Sequence, residues 1–285
     1  MVAVSGGVDS MVLLDMLRRQ AGLELVVAHF DHGIRDDSAE DRELVEAFAK
    51  ANGLEFVYEE GKLGRGASEA VAREARYKFL HQVLKDTGSA AIITAHHQDD
   101  VLETAIINIL RGTGRKGLTA LRSRDDVIRP LLKVPKKELL EYAKDHNLKW
   151  REDPTNQDLS YLRNYVRHKL LTRFSEADRR KLVNVLTELT ETNRELDTLL
   201  VKQLRAQPVS GTLDRQWFNQ LPHAAAREVM AAWLRLNGSR GFDSKTLERL
   251  VVAAKTASPG KTFPVQAGIS LKISADSLAL SGLER

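Results

Sequence analysis

The sequence predicts an α/β protein: a doubly wound, mostly parallel sheet, followed by a long connector helix and a small α+β unit. Three observations carry this. The first half alternates short apolar runs with longer segments whose apolar residues recur at three- and four-residue spacing, as strands and crossover helices do. Residues 175 to 206 contain neither Gly nor Pro and keep an amphipathic period throughout. Near its end the chain carries two alternating segments, KTFPVQ and ISLKIS, joined through Ala267 and Gly268 as a hairpin.

Taken in order, strands are expected at 2 to 4, 23 to 30, 54 to 59 and 90 to 95. Helices run between them from Asp9 to Gln20, Ser38 to Asn52, Ser68 to Thr87 and Asp99 to Leu110. The second shows its buried stripe as Leu44, Val45, Phe48 and Ala49. After Gly112 the chain becomes rich in Gly and Arg and loses apolar periodicity, so a loop or lid is expected there. Pro135 then opens another helix, its fixed φ and missing N–H suiting the first turn. Further helical patterns lie at 222 to 236 and 243 to 255. These elements divide into a catalytic domain at 1–174, a helical connector at 175–207 and a C-terminal domain at 208–285.

The composition of the 285 residues, 42% hydrophobic and 29% charged, excludes a disordered or fibrous chain. No apolar stretch approaches the roughly 20 residues of a membrane span, and the opening residues lack a basic region leading into a long apolar one. A cytoplasmic protein with no membrane partner is expected. With no cysteine, disulfides, thiolate zinc sites, iron–sulfur clusters and persulfide chemistry are excluded on this chain. The net charge of +4 is unevenly spread: residues 1 to 60 carry 5 basic and 13 acidic side chains, and 111 to 173 carry 16 and 8. The second block suits a polyanion such as RNA, and equally a solvated lysine-rich face.

Ligands of an open parallel sheet bind outside the carboxyl ends of its strands. Three polar motifs fall at such ends: SGGVDS after the first strand, HFDHGIR at the second and AHHQDD at the fourth. In the first, Ser5, Gly6, Gly7, Val8, Asp9 and Ser10 make a strand-to-helix turn in which the glycines allow close backbone approach. The helix then aims unpaired N–H groups at the loop, and phosphate is the natural occupant. No Gly-Lys-Ser/Thr follows, so this is not a Walker loop.

SGGVDS directly after VAV resembles the PP-loop of the N-type ATP pyrophosphatases, a Rossmann-like superfamily. Within it the chain is similar to the tRNA(Ile)-lysidine synthase family. The segments at 28 to 49, 68 to 80, 95 to 121, 128 to 132 and 150 to 171 carry that likeness, which is dense over 2 to 175 and weak beyond. The resemblance implies that ATP and free L-lysine convert the wobble cytidine of the isoleucine tRNA with a CAU anticodon into lysidine, releasing AMP and pyrophosphate. It implies ATP as co-substrate with Mg²⁺, and a C-terminal unit that helps recognise tRNA. Family members carry more sequence before the loop, and the far end resembles their shorter forms. Oligomeric state stays open, a homodimer included. A PP-loop amide or amine ligase acting on a small molecule is the competing reading, and a non-catalytic nucleotide-binding module a third. Sulfur-inserting relatives need cysteines that are absent here.

The resemblance also distributes roles. Asp9 is either a helix cap or the carboxylate that holds Mg²⁺ beside the triphosphate. His29, Asp31, His32 and Arg35 fall near the nucleotide, as does His96. Arg76, with Arg73 one turn before it, is assigned to the reacting phosphate. Asp100 and Glu103, three apart on one helix face, are assigned to the cationic lysine, while a transition-metal cluster of His96, His97, Asp99 and Asp100 is set aside. Arg111, Arg115, Lys116 and Arg122 are expected on tRNA phosphates or in solvent, and Arg163 and Arg167 of the RN-x-x-R segment on tRNA. Asp153, Pro154, Thr155, Asn156 and Asn164 match family segments without an assigned role.

Overall fold

The computed structural model describes residues 1–33, 37–64, 66–206, 211–239 and 241–282, with the backbone alone for Pro154 and Thr155. Two compact units form, Met1–Thr187 and Glu188–Arg285.

In the first unit the strands are β1 (Val2–Ala3), β2 (Val26–Asp31), β3 (Glu55–Glu60), β4 (Ile92–Ile93) and β5 (Val127–Ile128). All pair in parallel, in the order β3-β2-β1-β4-β5. The crossovers are α1 (Val8–Arg18), α2 (Ser38–Ala51), α3 (Glu69–Asp86) and α4 (Gln98–Leu110). α5 (Arg115–Leu118) and α6 (Lys136–Asp145) follow, and α7 (Leu162–Tyr165) runs into a π turn at Val166–Leu170. Met11, Val12, Leu13 and Leu14 are each almost wholly buried, because α1 lies inside the unit and packs with Leu139 and Ala143 of α6. Strand order turns at β1, whose neighbours are β2 and β4, so the carboxyl ends of these three strands flank the switch point where such sheets bind ligands.

The expected strands and crossover helices are present with ends moved by a few residues. Two features of the segment read as loop or lid differ: α5 lies within it, and β5 adds a fifth strand beyond it. A two-residue strand and a four-residue helix are too short to leave a period. Residues 23 to 25 lie outside β2, which continues to Asp31 instead.

α8 is one helix over Glu176–Arg205. Its Val183 packs with Leu102, Ile107, Val166 and Leu171 of the first unit. Its Leu204, with Leu200 beside it, joins the core of the second, among Phe218, Trp233 and Leu250. Each half of the helix therefore supplies core to its own unit. The second unit adds β6 (Thr212–Asp214), α9 (Arg215–Gln220), α10 (His223–Leu236), α11 (Ser244–Thr256), β7 (Thr262–Gln266), β8 (Ile269–Ile273) and β9 (Ser277–Ser281). The sheet is antiparallel in the order β6-β9-β8-β7. The expected hairpin is β7–β8, turning through Gly268 at φ +76°. β6, α9 and β9 are additions that periodicity does not mark.

Candidate nucleotide and amino-acid site

The loop between β1 and α1 is held from within. Ser10 Oγ accepts from Ser5 N at 3.1 Å and donates to Gly7 O at 2.8 Å, which closes the turn around its own side chain. Gly6 has φ +91°, and a Cβ there would stand 3.3 Å from Asp41 Cβ. Gly7 is the α1 N-cap in ordinary extended geometry, with no side chain between its backbone and an incoming group. The loop thus presents the N-terminus of an 11-residue helix to any anion placed against it.

Arg151 braces this loop from behind. Its N–H donates to Gly6 O at 3.0 Å, and its guanidinium reaches Asp37 at 2.7 Å, Asp41 at 2.8 Å and also Glu40. Asp31 is spent on the same region: its oxygens accept from Gly33 N at 2.8 Å and Ser38 Oγ at 2.9 Å. It shapes the turn toward α2, and its carboxylate does not stand open to a ligand. Arg35 lies outside the described residues.

Asp9, in the first turn of α1, begins a chain of alternating charges. Lys136 Nζ donates to both its oxygens, at 2.6 and 2.7 Å. His97 Nε2 lies 3.5 Å from Asp9 and 3.6 Å from Asp100, whose carboxylate also accepts from His97 N at 2.9 Å. Arg167 Nη2 stands 3.8 Å from Asp100 and the guanidinium grips Glu103 at 2.6 and 3.0 Å. Burial works against charge on Asp9, yet His97 and Lys136 hold its carboxyl below the ordinary value. Burial likewise opposes charge on His97, and Asp9 and Asp100 overcome it, raising the imidazole. Glu103, fully buried, is held above the usual carboxyl range despite Arg167.

The expected pair of Asp100 and Glu103 is therefore close but not equivalent. Asp100 keeps some exposed side-chain surface and Glu103 none, both Glu103 oxygens being held by Arg167. Arg163 and Arg167, expected on tRNA, turn toward these acids: Arg163 lies 3.8 Å from Glu103 and 3.5 Å from Glu69. Asp9, expected to hold Mg²⁺, has both oxygens taken by Lys136. Among the described residues no group of three or more His, Asp or Glu is arranged to hold a metal ion. A Mg²⁺ site made of protein ligands alone is therefore not present among the described residues.

The other wall is cationic. Burial leads the lowering of the Arg76 guanidinium, with Arg73 and Arg129 adding to it while Tyr77 and the Glu69 carboxylate act against it. Burial, with Arg76 nearby, brings His32 to about 4. Burial likewise brings His96 to about 4, with Arg129, Arg76 and Arg73 working in the same direction. Both imidazoles are neutral near pH 7. Arg129 is buried, its Nη2 on Tyr77 Oη at 3.2 Å and its Nε without a hydrogen-bond partner among the described residues. His29 Nδ1 bonds Val4 O at 2.9 Å, which ties β2 to the loop, while its Nε2 is buried with no hydrogen-bond partner among the described residues.

In the glycine-rich segment Arg111 and Arg122 are exposed and Arg115 and Lys116 half-buried. Asn108 Nδ2 donates to Gly117 O at 2.6 Å and anchors this segment to α4. Four contributors escape a reading of the sequence. Arg129 and Arg151 lie inside family-like segments with nothing to distinguish them from other arginines, His97 reads as one member of a discounted metal cluster, and Lys136 carries no local signal.

Residues 1–174 match the family model described as PP-loop domain. The tRNA(Ile)-lysidine synthase of Thermus thermophilus is 42% identical over 217 residues, 72% of this chain and 41% of that protein. That of Bdellovibrio bacteriovorus is 32% identical over 287 residues, 98% of this chain and 90% of that protein. The chain thus matches less than half the length of the Thermus relative and nearly all of the Bdellovibrio one. Among solved structures, the U34-tRNA thiolase NcsA of Methanococcus maripaludis, with its [4Fe-4S] cluster, shares the fold at TM-score 0.53 and 19% identity, over 67% of this chain and 71% of that one.

Proposed function

Because the chain belongs to the tRNA(Ile)-lysidine synthase family of PP-loop proteins, we propose that it uses ATP to join L-lysine to the wobble cytidine of the isoleucine tRNA with a CAU anticodon. The cytosine oxygen attacks the α-phosphorus and the bond to pyrophosphate breaks. The lysine ε-amine, once it has lost a proton, attacks the activated ring carbon, and the carbon–oxygen bond breaks to release AMP.

One observation carries this reading: an anion cradle and the acidic pair of Asp100 and Glu103 are joined in a single ionic chain, Lys136–Asp9–His97–Asp100–Arg167–Glu103. In it the PP-loop takes the phosphates, while Arg76, supported by Arg73 and Arg129, offsets the charge that grows on the α-phosphate. His32 and His96, neutral, leave that charge to the arginines. Asp100 takes the α-ammonium of lysine. Arg167, steadied by Glu103, takes the α-carboxylate of the same amino acid in this reading. This leaves the ε-amine free of a carboxylate that would hold its proton. Mg²⁺ is read as travelling on the oxygens of the triphosphate. The glycine-rich segment with Arg111, Arg115, Lys116 and Arg122 is read as a tRNA phosphate contact, and the unit from residue 208 as an aid to tRNA selection. No helix among the described residues is long and apolar enough to cross a membrane.

Incubation with ATP, labelled lysine and bulk tRNA tests the whole. Label in RNA is expected. Pyrophosphate release that needs an amine but no RNA would instead establish the small-molecule ligase.

A further inference from the structure

Lys136 is the residue that neither the motifs nor the apolar pattern singles out, yet it makes the tightest polar contact at the loop. It reaches Asp9 from 127 positions away in the chain, at 2.6 and 2.7 Å. The pair is partly open, with 32% of the Lys136 side chain and 27% of Asp9 exposed. A purely structural role explains little of this. α1 and α6 are already joined by apolar packing of Met11 and Leu14 with Leu139 and Ala143, and a partly exposed ion pair adds little to such a contact.

Electrostatics gives it a purpose. Asp9 stands in the first turn of the helix whose N-terminus faces the anion, and its carboxylate by itself would repel a triphosphate. Lys136 cancels that charge. An ammonium carries three donors, two are used on Asp9, and the third has no partner among the described residues. The geometry points to Lys136 as a binding residue for the pyrophosphate portion of the nucleotide, bridging Asp9 and the phosphate oxygens. It fills the place at Asp9 that a protein-held cation would otherwise take. This rests on the reading that the loop binds ATP.

Calorimetric binding of ATP, AMP and inorganic pyrophosphate to the full chain, without RNA or lysine, tests it. Lys136→Met should weaken ATP and pyrophosphate about tenfold or more, the scale of one charge-assisted contact. AMP, which lacks those phosphates, should bind within about twofold of the unchanged protein, and the unfolding midpoint should hold. Lys136→Arg should retain most of the ATP affinity. Should the Met variant fail to fold, Lys136→Gln, which keeps a hydrogen bond to Asp9, carries the same selective loss. Unaltered ATP affinity, or AMP affinity falling in step with ATP, would show that Lys136 only fastens α6 to α1. Unchanged protein that binds neither ATP nor pyrophosphate would overturn the ATP reading, and this assignment with it.

Discussion

Arg167 holds both oxygens of Glu103, Nε at 2.6 Å and Nη2 at 3.0 Å, where Glu103 has no exposed side-chain surface. A carboxylate placed so deep depends on its partner, because a lone buried charge is far costlier than a paired one.

Arg167→Met should therefore cost about 3 to 5 kcal/mol at neutral pH, and Arg167→Met with Glu103→Gln should recover most of it. The pH dependence has a definite sign. Burial raises the Glu103 carboxyl above its value of 4.5, so its stabilising share is fully present below 4.5 and is lost as pH rises through the folded value. The penalty of Arg167→Met should shrink in acid, where a protonated Glu103 needs no counter-charge. Denaturant unfolding across pH checks this, and a penalty that grew in acid would contradict it.

The two loop glycines should fail in different ways. Gly6→Ala forces a side chain into φ +91° and against Asp41, so both stability and ATP use should fall, the strain alone being about 1 to 2 kcal/mol. Gly7→Val meets no such strain, an added Cβ standing 3.5 Å from Ser5 Oγ, and if the loop holds phosphate the larger side chain should hinder its close approach instead. Pyrophosphate release should drop while the unfolding midpoint changes little. Undiminished release in Gly7→Val would remove the loop from phosphate binding.

His97 should titrate above 6.5. Burial acts against this, and Asp9 from α1 and Asp100 from its own helix outweigh both burial and the opposing Lys136. Its charged form stabilises the fold fully below 6.5, and the contribution disappears as pH rises through the folded value. Asp100→Asn should bring the imidazole downward in an NMR titration. No movement would place the charge coupling elsewhere.

Arg115 and Lys116 set the test of the RNA face. If they lie on phosphates, replacing each by Gln should make the salt dependence of tRNA binding shallower by roughly 1 for every phosphate that is no longer neutralised. An unchanged slope would mark a solvated surface.

How much is legible in the sequence differs by element. The stripe of Leu44, Val45, Phe48 and Ala49 marks α2 because a helix that buries one face must repeat every three to four residues. SGGVDS is equally plain, since only glycine readily tolerates the φ of Gly6 and a helix start needs no distant partner. β5, two residues long, has no period to show, and Leu204 reads as one more apolar position of an amphipathic helix until the second core forms around it.

The amino-acid order by itself determined the alternation of strands and helices, the phosphate loop, and the carboxyl-end placement of three motifs, because each depends on neighbours a few residues apart. Only the tertiary structure decided which charges meet. Lys136 joins Asp9 across 127 positions, Arg167 joins Glu103 across 64, and Arg151 braces Gly6 and Asp41 from the far end of the unit. Ion pairing acts through space over a few ångströms, and a lysine or arginine carries no local sign of the carboxylate it will find. Packing α6 against α1, and α7 with its π turn against α4, brings those partners within reach.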